Sequence, residues 1–93
     1  MEITLEPINE NKGRFKLEED GKQAGFMTYT MARDIMIIDH TEVDPAFEGR
    51  GLGKKLVMAG VEHARENNLK IKPLCPFALN VFKRTEAIKD VLF

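Results

Sequence analysis

Residues 43–57, VDPAFEGRGLGKKLV, place three glycines (Gly49, Gly51, Gly53) among three basic residues (Arg50, Lys54, Lys55), directly ahead of an apolar helical run. Glycine lets a backbone approach a ligand closely and adopt positive φ. A helix start offers free N–H groups and the positive end of a dipole. Together these residue types suit an anionic phosphate. The named nucleotide motifs are not met, however. Glu48 stands where a P-loop has its first glycine, and Lys55 stands where it has Ser or Thr. The third glycine of a dinucleotide fingerprint would fall at Leu56 or Lys54, depending on where the count begins.

Two further residues carry chemistry. His40, in HTEV (40–43), is the natural base, because imidazole is the side chain that ordinarily titrates nearest neutrality. Cys75, in PLCPF (73–77), precedes a proline suited to the first position of a helix. As the N-cap residue it would have its thiolate favoured by the helix dipole. His40, His63 and Cys75 are too scattered for a zinc pattern, so no metal is expected. Met27, Met31, Met36 and Met58 read as core filler, and Tyr29, in an early strand, as core packing. His63 reads as solvated in mid-helix, and Glu18 and Glu19 as turn surface.

The elements that position these groups follow from periodicity. Residues 2–7 form a short strand, and 9–13 (NENKG) a turn. The segment 14–18 alternates, and Asp20-Gly21 within 19–22 is a hairpin signal leading into a strand over 23–31. After a turn at 32–34, IMIIDHTEV (35–43) is nearly continuously apolar at its start. That pattern predicts a central strand with both faces covered. Leu52, Leu56, Val57, Val61 and Ala64, with Ala59 and Gly60, recur at helical spacing over 51–67. A short strand over 69–74 follows and is parallel to 35–43 if joined to it by a crossover. A last helix begins at Pro76. The order is β-β-β-β-α-β-α: an α+β fold with a mixed sheet.

The bulk numbers bound the reading. Ninety-three residues form one domain (1–93), 43% hydrophobic and 31% charged, with net charge −1. That balance argues against general nucleic-acid binding. A single cysteine forbids an internal disulfide. With no signal peptide and no long apolar run, the chain reads as cytoplasmic, with no membrane partner.

EGRGLGKKL between an apolar strand and an amphipathic helix resembles the acetyl-CoA pyrophosphate loop of the GNAT N-acetyltransferase superfamily, [QR]xxGx[GA]. Gly51 and Gly53 match its glycines, and Glu48 departs from its Gln or Arg. With HTEV before it and PLCPF after it, the chain is similar over about 22–82 to the minimal GNAT subgroup, which lacks the helices between the first strands. The tail departs: RTEAI (84–88) stands where that subgroup often has His-Pro-Glu-Tyr.

The resemblance implies a mostly antiparallel GNAT-like sheet with a splayed parallel pair after the central strand. It implies acetyl-CoA (coenzyme A) as co-substrate and an amine acceptor that the sequence does not name: a protein lysine, an amino terminus or a polyamine. Thr41, Glu42 and Val43 would pair with the pantetheine arm. Gly49, Arg50, Gly51, Leu52, Gly53, Lys54 and Lys55 would hold the pyrophosphate. His40 and Cys75 would be the catalytic groups, through direct transfer with His40 as base or through an acetyl group carried on Cys75. A monomer or weak homodimer is expected. Two other classes fit the same residues: a non-catalytic CoA- or acyl-CoA-binding module, and an interaction domain whose glycine loop is only a turn.

Overall fold

The computed structural model describes residues 1–93. Strands β1 (Glu2–Pro7), β2 (Lys12–Glu19), β3 (Lys22–Ala32) and β4 (Ile35–Val43) form an antiparallel meander. Helix α1 (Leu52–Glu66) crosses over to β5 (Lys70–Pro73), which pairs parallel with β4, and helix α2 (Pro76–Arg84) follows. The five strands lie in the sheet in chain order. Two 3-10 turns, Pro45–Phe47 and Glu86–Val91, complete the chain. The second ends beside β5, where Leu92 bridges Ile71.

Local chemistry explains the turns. Asp20 (φ 51°) and Gly21 (φ 79°) both take positive φ, as the tight hairpin between β2 and β3 requires. Asn68 (φ 54°) reverses the chain after α1, since Asn tolerates the left-handed region better than most residues. Pro76 opens α2 with Cys75 as N-cap.

Both helices pack on one face of the sheet. Leu17, Met27, Met36 and Ile38 from the strands meet Leu56, Val57 and Val61 of α1 and Phe82 of α2 in a single core. The opposite face carries no helix. This corrects the expectation that β4 has both faces covered: Met36 and Ile38 are fully buried, but Ile35 and Ile37 are only half-buried. The physical reason is topological, because the one crossover helix and the last helix share a side. Arg14, Lys16, Thr28 and Thr30 occupy the uncovered face, which tolerates water because its polar side chains alternate with the buried ones.

Tyr29 lies in the core, 8% exposed and 5.7 Å from the Phe15 ring, and burial pushes its phenol pKa up. His63 is not fully solvated as its charged neighbours suggested. Its ring meets Phe15 edge-on at 5.9 Å. No helix is long and apolar enough to cross a membrane.

Candidate active site

The β4–β5 pairing stops early. Ile38 is the last β4 residue with a β5 partner, Pro73, and both Leu74 N–H and Cys75 N–H then donate to the Ile38 carbonyl at 3.1 Å. From Asp39 to Val43, β4 has β3 on one side and no strand on the other. This is the splay, and it leaves a free backbone edge.

A β-bulge sits at the top of that edge. Tyr29 pairs with Ile38 but Thr28 pairs with His40, so Asp39 has no residue opposite. The extra residue inverts the alternation. Thr41, opposite buried Met27, and Val43, opposite Gly25, turn toward the helices. Asp39 and His40 turn to the uncovered face. There Asp39 accepts from Thr30 Oγ1 at 2.9 Å, and the exposed His40 ring lies 6.0 Å from Phe26.

Between the splay and the two helices opens a cavity of about 570 Å³. Thr41 and Val43 line its strand side, Phe47 to Gly49 and Gly51 to Lys54 its loop side, and Phe77, Asn80, Val81, Arg84 and Thr85 its α2 side. The loop residues are shaped for backbone exposure. Gly49 (φ 82°) and Gly51 (φ 71°) are left-handed, and a Cβ on either would meet nothing within 4 Å. The third glycine has a different cause. A Cβ on Gly53 would stand 2.6 Å from the Phe77 ring, so its lack of a side chain lets α1 and α2 approach. Helix α1 begins at Leu52 with no side-chain cap and no acidic residue in its first turn. Its first amides therefore have no partner and face the cavity.

The basic residues divide. Lys54 lines the cavity. Arg50 does not: its guanidinium grips Glu19 of the β2–β3 turn in two hydrogen bonds (2.5 and 2.7 Å) and lies 5.8 Å over Phe47. That pair holds the glycine loop against the sheet and pulls the Glu19 carboxyl below its ordinary range. Lys55 extends toward Met1. Arg84, absent from the sequence reading, lines the cavity in an ion-pair-free state, with Asn80 and Thr85 beside it. The signal for Asn80 and Arg84 was present, since 77, 80, 81 and 84 lie on one helical stripe, and Thr85 follows as the C-cap of α2. Glu48 also faces the cavity, the one acid among these lining residues.

Cys75 lies behind Thr41, 5% exposed. Burial pushes its thiol up, but the Ala78 amide, the Thr41 hydroxyl and the Phe77 and Thr41 amides outweigh it, so the net direction is down. No amide caps the sulfur with a full hydrogen bond. Thr41 Oγ1, itself buried, lies near the sulfur without completing a hydrogen bond to it or to any other group. His40 and Cys75 thus sit close along the chain path of the splay but on opposite faces of the sheet. No cluster of three His, Cys, Asp or Glu side chains could hold a metal ion.

The α+β sheet is thus splayed between its parallel strands, with an uncapped, glycine-led helix start at the mouth of the cleft. The sequence profile of the GCN5-related N-acetyl-transferases matches residues 14–91. A GCN5-like protein from Staphylococcus aureus, solved in solution and assigned as an N-acetyltransferase, is 38% identical, with 99% of this chain and 87% of that one covered at a TM-score of 0.73. The chain belongs to the GCN5-related N-acetyltransferase family, and it is an acyltransferase. More distant structures share the fold. The ribosomal-protein-alanine N-acetyltransferase of Brucella melitensis is 17% identical (TM-score 0.73, 82% of this chain, 62% of that one). A Bacillus anthracis protein assigned as a streptothricin acetyltransferase, solved with acetyl coenzyme A, is 23% identical (TM-score 0.62, 72% and 40%). No curated protein matches the chain in sequence.

Proposed function

We propose that residues 1–93 act as one domain of the minimal GNAT subgroup, transferring acetyl from acetyl-CoA to an exposed amine: a protein lysine, an amino terminus or a polyamine. The observation that carries this reading is the uncapped start of the 15-residue helix α1, opening into a cavity whose strand side is a free β-edge. The amides from Gly49 to Lys54, with the Lys54 ammonium, would hold the pyrophosphate. The edge from Thr41 to Val43 would take the pantetheine arm as an added strand. The unpartnered Thr41 hydroxyl provides a donor at that edge. Bound acetyl-CoA supplies the activated acetyl group.

His40 would accept the proton of the acceptor amine on the uncovered face, where it is exposed. That face has no covering helix, which suits an amine presented on a flexible or large partner. Direct transfer fits better than a Cys75 relay, because the sulfur is buried while His40 is open to solvent. The domain would work as a monomer or weak homodimer.

The test is a calorimetric titration with acetyl-CoA, followed by acetylation assays on a lysine peptide, an amino-terminal peptide and a polyamine. Micromolar binding with turnover on one of them is expected. His40→Gln should abolish turnover with affinity kept, and Cys75→Ala should retain turnover. Binding without turnover on any amine would leave a CoA-binding module. No binding at millimolar ligand would overturn the reading altogether.

A further inference from the structure

Two cationic side chains face the cavity, and they stand at different places. Lys54 belongs to the first turn of α1, beside the free amides. Arg84 belongs to the last turn of α2. Phe77, which packs over Gly53, marks the level of the α1 start along α2. At about 1.5 Å rise per residue, Arg84 lies roughly 10 Å farther out along that helix. One phosphate group cannot engage both ends of the wall at once.

Arg84 is also uncommitted. Arg14, Arg50 and Arg65 each hold a carboxylate. Arg84 holds none, is exposed, and shares the cavity wall with two neutral hydrogen-bonding residues, Asn80 one turn before it and Thr85 at the C-cap. Helix-dipole support alone does not explain its direction. Lys83 sits in the same last turn and supplies that charge without lining the cavity. The one acid facing the cavity, Glu48, comes from the loop side.

We infer that Arg84, with Asn80 and Thr85, forms a second anion subsite that recognises the 3′-phosphate of coenzyme A, separately from the pyrophosphate cradle at α1. The inference rests on the proposed acetyl-CoA reading and adds a specificity determinant to it. A planar guanidinium with several donors matches a phosphate monoester, whose dianion strengthens each contact. The subsite makes the protein discriminate CoA from dephospho-CoA at a residue that touches no reacting atom.

The experiment measures affinities for CoA and dephospho-CoA by calorimetry, with the wild type, Arg84→Gln and Lys54→Gln. The wild type should prefer CoA by about tenfold, the worth of one charge-assisted contact. Arg84→Gln should remove that preference while leaving dephospho-CoA affinity within about twofold. Lys54→Gln should weaken both ligands and keep the preference. Arg84→Lys should restore part of it. Equal losses for both ligands in Arg84→Gln, or no preference in the wild type, would overturn this inference while leaving the acetyl-CoA site intact. Binding of neither ligand by the wild type would overturn the functional reading beneath it. Arg84 is exposed and unpaired, so thermal melts of Arg84→Gln should match the wild type.

Discussion

Gly51→Ala isolates the backbone's part in the site. Gly51 is held at φ 71°, ψ 22°, with open space where a Cβ would go. The substitution therefore meets no steric neighbour, and its cost is conformational. Placing an L-residue in the left-handed region costs roughly 1–2 kcal/mol. Reduced freedom of the unfolded chain returns roughly 0.4–1 kcal/mol. A net loss near 1 kcal/mol follows. For 93 residues the unfolding entropy is roughly 0.2 kcal/mol/K, so Tm should fall by about 5 °C. Gly51→Asn should lose less than half of that, since Asn tolerates this region and can cap a helix. Gly21→Ala is the control. It sits at φ 79° in the hairpin turn, equally free of neighbours and remote from the cavity. Both alanine variants should melt alike in the absence of ligand, and only Gly51→Ala should lose acetyl-CoA affinity, by about tenfold. An unchanged Tm in Gly51→Ala beside a lowered one in Gly21→Ala would refute the backbone argument. Equal Tm losses with unchanged affinity would refute the phosphate cradle.

Other outcomes follow from the same geometry. Glu48→Gln removes the one acid facing the cavity and should tighten acetyl-CoA by about threefold or more at low salt, an effect that shrinks as salt is added. Gly53→Ala forces the Phe77 ring aside, so it should destabilise despite the helix preference for alanine, and Gly53→Ala combined with Phe77→Ala should recover part of the loss in urea melts. Glu6, Glu19 and Asp90 are each held below their ordinary pKa, chiefly by hydrogen bonds from Arg14, Arg50 and Arg65. Their depressed values mean the unfolded chain binds more protons near pH 4. Stability should be complete above about pH 5 and fall as pH drops below about 4, and a urea midpoint at pH 3 no lower than at pH 6 would contradict this. Thr41→Val removes a nearby hydroxyl that favours the Cys75 thiolate and should slow its alkylation at fixed pH.

Much of this was legible in the chain because local signals agreed. IMIIDHTEV became β4 over its whole span, Leu52 to Ala64 supplied the buried stripe of α1, and Pro76 opened α2. The glycine loop leads into a helix as its composition indicated, and Gly49 and Gly51 take positive φ, but Gly53 looked like its neighbours and owes its identity to Phe77, distant in sequence. Arg50 looked like a phosphate ligand, yet Glu19 claims it, since a long-range ion pair leaves no mark on spacing. The coverage of β4 was misread because an apolar run reports burial without saying whether one face or two are covered. The side on which His40 lies was hidden by Asp39. A bulge has no strong composition, and simple alternation would send His40 with Met36 and Ile38 toward the core.

That bulge divides β4 into two segments of opposite parity. Before Asp39, even-numbered residues face the helices; after it, odd-numbered ones do. One strand thereby answers to two independent demands. Its first half is in phase with the core, and its second half is in phase with the cleft. A change of residue in either half is felt on one side only. Removing Asp39 would close the bulge and leave Ile38 opposite Tyr29, His40 opposite Thr28 and Thr41 opposite Met27, so both residues would keep their faces. Closing the bulge with Asp39 kept in the ladder would instead slip the second half of the strand by one residue and exchange the faces of His40 and Thr41, so the bulge itself is what places the base outside and the hydroxyl in the cleft.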